Sequence, residues 1–436
     1  MNPVKIGLLG LGTVGGGTCT VLMRNAEEIA RRAGRGIVVS HAAARERERI
    51  EELGLEGVAF SHDPFAVVDD PEVEVVAELM GGMDPAYELI LRAIENGKHV
   101  VTANKELIAL RGNEIFSAAQ RKGVMVAFEA AVAGGIPIIK SIREGLAGNE
   151  ILWLAGIING TGNFILTEMR DHGRDFNDVL AEAQQLGYAE ADPTYDVEGI
   201  DAAHKLTILA SIAFGIPLQF DRVYTEGIGG ITREDVTYAE ELGYRIKHLA
   251  IARRTNGHVE LRVHPTLIPE RQLIANVDGV MNAVLVQADA LGPTLYYGAG
   301  AGAEPTASAV VADLVDVVRT LTGDPDNRVP HLAFKPDQIA DLPIAPIQEV
   351  ESAYYLRLHA VDQAGVMAQI SRIMSDLDIS MEAILQKEPG PGETSVPLIL
   401  LTGKVREHRV DEAMRRFREL DAIIGEVSRI RVETLE

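Results

Sequence analysis

The chain has 436 residues, of which 47% are hydrophobic and 24% charged, with a formal net charge of −23; the length accommodates two or three domains. So acidic a balance argues against a phosphate-backbone or anionic-membrane partner, which needs clustered Lys and Arg, so no nucleic acid and no membrane are expected as partners. The single cysteine, Cys19, excludes an intramolecular disulfide, and the lack of a leader pattern or of an apolar run near 18 residues leads us to expect a cytoplasmic protein.

The first predicted element is the apolar run 4–9, a buried strand. Gly10-Leu11-Gly12-Thr13-Val14-Gly15 follows at once, then a helical stretch over 18–33. A G-x-G-x-x-G between a first strand and a first helix is a dinucleotide signal: two glycines let the backbone approach a pyrophosphate, and the third lets helix and strand pack closely. A second strand is predicted over 37–44. An acid at its end would meet a ribose hydroxyl, whereas an arginine suits a 2′-phosphate. Arg45 stands there, favouring NADP, although it could equally head the next helix as a surface residue.

Strand-like runs at 73–79 and 99–102 alternate with helical segments, the rhythm of a parallel, doubly wound sheet. Met80-Gly81-Gly82 and Thr102-Ala103-Asn104-Lys105 fall just after them, where ligands of open α/β sheets sit. Lys105 at a helix start opposes the helix dipole, which favours a functional role for it. A further strand is predicted over 123–128, and the small-residue stretch 129–137 reads as a crossing into a new domain. After the apolar run 151–158, Asn159-Gly160-Thr161 is either a simple turn or a set of donors aimed at a ligand.

From Gly187 to Lys205 the chain gathers Glu190, Asp192, Asp196, Glu198 and Asp201 ahead of one lysine, and a helical pattern follows. Asp201 and Lys205 are spaced i, i+4, so they share a helical face with the acid N-terminal to the base. Either this is a solvated acidic surface or it is a site for a cationic small molecule. Residues 224–270 read as strand-like and polar. Gly298–Thr306 is then glycine-rich ahead of an amphipathic helix through Val318. It either forms a second wall of a cofactor cleft or packs tightly.

Five prolines in 324–348 mark a connecting segment. Beyond it we predict a strand at 353–360, a turn at 362–365 and a helix at 366–377. Strands at 379–386 and 396–402, paired across a Pro/Gly-rich loop, a helix at 406–420 and a strand at 423–432 complete the order βαββαβ.

The motifs G-L-G-T-V-G (10–15), T-A-N-K (102–105), I-N-G-T (158–161) and G-Y-A-E-A-D-P-x-x-D-V-x-G-x-D-A-A-H-K (187–205) resemble the homoserine dehydrogenase family over essentially the whole chain. The resemblance implies reversible NAD(P)-dependent interconversion of L-homoserine and L-aspartate 4-semialdehyde, on the route to threonine, isoleucine and methionine. With the first strand so near Met1, the monofunctional form is expected.

It further implies Lys205 as the proton donor and acceptor, Asp201 as its partner, and Lys105 as a second lysine near nicotinamide and substrate. Glu190 would hold the substrate ammonium, Asp196 would join the same polar wall, and Gly160 and Thr161 would contact substrate. Gly10, Gly12, Thr13, Val14, Gly15, Arg45, Lys105 and Gly302 are the expected cofactor residues. Glu129, Val132, Gly134 and Ile136 match a structural sodium site of largely main-chain oxygens.

The C-terminal order, with its D-x-x-G turn, resembles an ACT domain. That implies L-threonine as a possible inhibitor, bound near Asp362, Gly365 and Val366. Ala364 stands where the family usually has proline, and a module that only mediates oligomerisation remains the alternative. The expected fold class is α/β: a Rossmann doubly wound nucleotide domain (1–129 plus 305–323), an α+β substrate and dimerisation domain (130–304), a linker (324–350) and an ACT regulatory domain (351–436), in a homodimer or homotetramer. A non-catalytic sensor would not need both lysines in these contexts, and another nicotinamide-dependent amino-acid oxidoreductase would not need the full 187–205 pattern.

Overall fold

The structure is a computed structural model and describes residues 2–255, 257–387 and 395–435. The Pro/Gly-rich loop expected before the strand at 395 lies outside them. The chain divides into two compact units: residues 1–154, 201–223 and 281–342, and residues 155–200, 224–280 and 343–436.

In the first unit, strands β1 (Val4–Leu9), β2 (Ile37–Ala43), β3 (Ala59–Ser61), β4 (Val75–Glu78), β5 (His99–Thr102) and β6 (Val126–Ala127) form one sheet in the order β3-β2-β1-β4-β5-β6. Every pairing is parallel. The order reverses at β1, the switch point beyond which an open α/β sheet binds its ligand. Strands β4 and β5 are buried throughout, as expected where helices cover both faces.

The predicted helix at 18–33 differs in the structure. One helix runs Thr13–Arg24 and a second Ala26–Ala33, divided at Asn25, whose backbone leaves helical geometry at φ −108°, ψ 19°. The helix therefore starts directly on the glycine turn. The strand expected at 123–128 is reduced to two residues. Gly123, at φ 67°, ends the preceding helix in a left-handed cap, and a 3-10 turn begins at Glu129. Helix Ala303–Thr320 packs on Thr13–Arg24 so closely that a Cβ on Gly17 would lie 2.4 Å from the Ala303 carbonyl oxygen.

In the second unit, Tyr244–Thr255 and His258–Pro269 form a long antiparallel pair, and Ile423–Val432 joins His258–Pro269 in parallel. Glu351–Val361 then pairs antiparallel with both Ile423–Val432 and Ser395–Thr402, and Met381–Gln386 lies beyond Ser395–Thr402. The sheet is thus mixed. The observed order over 351–432 is strand, helix (Val366–Asp376), two strands, a two-residue strand (Val405–Arg406) that pairs with Glu351 and Ser352, helix (Glu407–Arg418), strand.

Side chains alternate across Glu351–Val361 because the strand period is two. Tyr354, Leu356 and Leu358 pack with Ile370, Met374 and Phe417 of the two helices. Tyr355 points the other way, into a core with Phe164, Ile165 and Met169 of helix Gly160–His172. Burying one such Phe or Leu contributes about 1.5–3 kcal/mol. Among the described residues no helix is long and apolar enough to cross a membrane.

Candidate active site

The first unit carries a cavity of about 430 Å³ lined by Gly10, Gly12, Arg45, Arg49, His62 and Gly81, among others. Each glycine of the turn has a different reason to be glycine. Gly10 sits at φ 94° with the Leu79 carbonyl oxygen 2.8 Å from a Cβ position, and a Cβ on Gly15 would lie 2.0 Å from the Gly10 carbonyl oxygen. Gly12 has open space where its Cβ would be, so only its face is left for a ligand. Thr13 and Val14 open the helix, whose first turn holds no acidic residue, so the N-terminal dipole is uncompensated for an anion.

Arg45 lines the cavity and is exposed. Arg49 also lines it and donates to the Leu11 carbonyl at 3.3 Å from Nε and 3.2 Å from Nη2, which braces the glycine turn. Gly302, at φ 119°, caps helix Ala303–Thr320. A glycine-rich entry to that helix was visible in sequence; the bracing role of Arg49 had no motif to announce it.

Lys105 is the first residue of helix Lys105–Lys122, whose N-cap Asn104 accepts from the Leu107 N–H at 3.1 Å. Its ammonium lies 2.7 Å from Asp201 Oδ1, and the Lys205 ammonium lies 2.6 Å from Asp201 Oδ2. Two lysines distant in sequence therefore share one carboxylate, with Asp201 buried, Lys205 nearly so and Lys105 42% exposed at its side chain. Burial alone would raise the Asp201 carboxyl. Lys205 and Lys105 outweigh it and hold the group well below the ordinary carboxylate range. The three groups sum to one positive charge, which can stabilise negative charge developing on a substrate oxygen.

In the second unit, Asn159 caps helix Gly160–His172. Its Oδ1 accepts from the Gly162 N–H at 2.7 Å and its Nδ2 donates to Asp196 Oδ1 at 2.7 Å. Thr161 donates from Oγ1 to the Tyr188 carbonyl at 2.6 Å. Asp196 and Thr161 thus meet at one helix start with the chain from 187 folded over it, and a Cβ on Gly160 would lie 2.8 Å from the Val280 carbonyl. Glu190 is exposed on that same loop. Asp192, also exposed, accepts from the Thr194 N–H and hydroxyl, and Glu198 is exposed.

A buried lysine that the sequence reading did not single out supports this helix start. Lys247 donates to the Val277 carbonyl at 2.6 Å, to Asp278 at 3.0 Å and to Asn163 Oδ1 at 3.3 Å. Asn163 in turn donates to the Val277 and Gly279 carbonyls.

Glu129 is buried in the first unit and accepts from the N–H groups of Ile139 (2.8 Å) and Lys140 (2.9 Å). Burial, with Asp313 beside it, pushes its carboxyl up to about 7. Ala133 and Gly134 follow at φ 54° and 49°. Among the described residues no cluster of three His, Cys, Asp or Glu could hold a metal. Asp362, Gly365 and Val366 line a second cavity of about 270 Å³ in the second unit, together with Ala364, Gln386 and Val396.

Comparison with known proteins places these features in context. A family model described as "Homoserine dehydrogenase, NAD binding domain" matches residues 10–129, and one described as "Homoserine dehydrogenase" matches residues 137–315. The homoserine dehydrogenase of Pseudomonas aeruginosa is 66% identical over 435 residues, covering 100% of both chains. A crystal structure of a homoserine dehydrogenase from Thiobacillus denitrificans, 66% identical, superposes with a TM-score of 0.95 over 100% of this chain and 99% of that one. A hyperthermophilic archaeal homoserine dehydrogenase mutant, solved in complex with NADPH, is 26% identical with a TM-score of 0.62 over 73% of this chain and 98% of that one.

Proposed function

The chain belongs to the homoserine dehydrogenase family, and on that premise we propose how its own residues perform the reversible, NAD(P)-dependent interconversion of L-homoserine and L-aspartate 4-semialdehyde. The observation that carries the reading is the Asp201 carboxylate held between the Lys105 and Lys205 ammoniums. A bound nicotinamide supplies or accepts the hydride at the substrate carbon.

In the reducing direction the aldehyde oxygen gains negative charge; the Lys205 ammonium stabilises it and gives up a proton to make the hydroxyl. In the oxidising direction the neutral Lys205 amine takes that proton back. Ionised Asp201 orients both lysines, and Lys105 adds positive charge. Glu190 is the proposed partner of the substrate ammonium. Asp196, Gly160 and Thr161 complete its surroundings, with Asn159 holding Asp196 in place.

Gly10, Gly12, Thr13, Val14 and Gly15 fit a pyrophosphate, and Gly302 precedes Ala303, which packs on Gly17 of the same helix. Arg45, in the cavity wall at the end of β2, is the proposed 2′-phosphate residue and the basis for NADP over NAD. The NADPH bound by the archaeal relative supports that preference. A sodium ion suits the chemistry of 129–136: hard cations take oxygen ligands, and with the Glu129 carboxylate engaged by two N–H groups, the main-chain oxygens of Glu129, Val132, Gly134 and Ile136 are the donors to use.

We read residues 1–129 with 305–323 as the nucleotide domain, 130–304 as the substrate and dimerisation domain of a cytoplasmic homodimer or homotetramer, 324–350 as a linker, and 351–436 as an ACT domain. The βαββαβ order and the cavity at Asp362, Gly365 and Val366 support L-threonine as its ligand and as an inhibitor.

The test is the rate of nucleotide reduction with L-homoserine, run with NADP and with NAD. NADP should be preferred, and Arg45→Ala should raise the NADPH dissociation constant about tenfold, about 1.4 kcal/mol, while leaving NADH binding unchanged. Equal loss for both nucleotides would remove Arg45 from the preference.

A further inference from the structure

Glu78 ends β4 and is fully buried. A carboxylate in such a place costs several kcal/mol unless its lone pairs are taken up. Here Oε1 accepts from the N–H of Met80 at 2.9 Å and of Gly81 at 3.2 Å, and Oε2 accepts from the Thr102 hydroxyl at 2.7 Å. Thr102 ends β5, beside Glu78 in the ladder. Its hydroxyl also accepts from the Asn104 N–H at 3.0 Å. The Asn104 side chain then divides its own two ends: Nδ2 donates to the Gly82 carbonyl at 2.6 Å, and Oδ1 accepts from the Leu107 N–H at 3.1 Å.

These contacts close a ring. It starts at the end of β4, passes through Thr102 to the start of helix Lys105–Lys122, and returns through Gly82, with Gly81 and Gly82 at φ 74° and 75° making the tight return. Lys105 is the next residue after Asn104, and its ammonium reaches Asp201 from there. None of the clasp side chains need touch substrate for the clasp to matter, because the first helical turn has no other side-chain cap than Asn104.

We propose that Glu78 and Thr102 are positioning residues: through Asn104 they fix the first turn of helix Lys105–Lys122 against the loop at 80–82 and so aim the Lys105 ammonium at Asp201. The inference rests on the role given above to Lys105. A misplacement near 1 Å can cost about 100-fold in rate, so the clasp acts on turnover beyond what it contributes to stability.

The test uses the full-length enzyme and four variants. Thr102→Val keeps the shape and loses both hydrogen bonds, whereas Thr102→Ser keeps the hydroxyl. Glu78→Gln keeps the volume and loses one of the three acceptor contacts. Lys105→Ala reports whether Lys105 works in the reaction at all. For Thr102→Val and Glu78→Gln we expect kcat to fall about 10- to 100-fold, with NADPH Kd and KM for L-homoserine within about threefold of the unsubstituted enzyme. Thr102→Val should also lower the melting temperature, because Glu78 Oε2 loses its donor, so rates are taken per folded enzyme; Thr102→Ser should retain both rate and melting temperature.

A Thr102→Val enzyme with undiminished kcat, or a Thr102→Ser enzyme as slow as Thr102→Val, would overturn the clasp while leaving Lys105 in place. So would a rate loss that merely tracks the loss of folded protein. Undiminished kcat in Lys105→Ala would overturn both the clasp and the role of Lys105.

Discussion

Two lysines buried beside aspartates, Lys205 in the first unit and Lys247 in the second, differ in what surrounds them. Lys247 is 1% exposed and its three ammonium protons meet three acceptors: a carbonyl, a carboxylate and an amide oxygen. Lys205 leans on a carboxylate that a second lysine also claims, and that second lysine is partly open to solvent. The first arrangement saturates a cation with acceptors and fixes a backbone turn. The second places more cationic than anionic charge around one carboxylate, which leaves charge for a substrate oxygen. Burial and an aspartate partner are therefore common to a structural lysine and a reactive one; a second lysine on the same carboxylate, partly open to solvent, separates them.

Removing Lys205 should break the comparison at its strongest point. Lys205→Ala is expected to lose at least about 1,000-fold in kcat, since proton transfer and oxyanion stabilisation are both lost, with NADPH binding intact by fluorescence titration. Unchanged kcat would take Lys205 out of the mechanism. Asp201→Asn should cost less, about 100-fold, because the lysines remain but lose their shared anion; steady-state rates check it, and full activity would show that the carboxylate does not orient them.

Lys247→Met should act on stability instead, by about 2 kcal/mol for the acceptors left without a donor, read from denaturant unfolding. The pH dependence sharpens this. Burial, opposed by Asp278, lowers the Lys247 ammonium to about 8, against about 10.4 in an unfolded chain. Between these values the unfolded chain holds more protons, so the lysine's contribution to stability rises as pH rises across that window. Below about pH 8 both states are protonated and the burial cost is full. The stability of the unsubstituted enzyme minus that of Lys247→Met should therefore grow from pH 8 to pH 10; a flat difference would contradict the closed, desolvated account of Lys247.

The sequence made the local half of these arrangements readable. Asp201 and Lys205 lie one helical turn apart, so spacing alone put them on one face, and G-L-G-T-V-G after an apolar run announced its own turn. What spacing could not supply was partnership across the chain. Lys105 reaches Asp201 only because β5 ends where it does, and Asn159 meets Asp196 only after the loop at 187–199 folds over the helix start. Lys247 sits mid-strand with nothing in its neighbours to mark it, and Glu78 reads as the polar end of an apolar run. The break at Asn25 and the two-residue β6 likewise depend on capping geometry, which apolar periodicity does not record.

Turnover per folded enzyme, measured side by side for Lys205→Ala and Lys247→Met with L-homoserine and NADP, tests the distinction most directly. The account predicts that Lys247→Met stays within about threefold of the unsubstituted enzyme while Lys205→Ala falls at least about 1,000-fold. Comparable turnover in the two variants would contradict it.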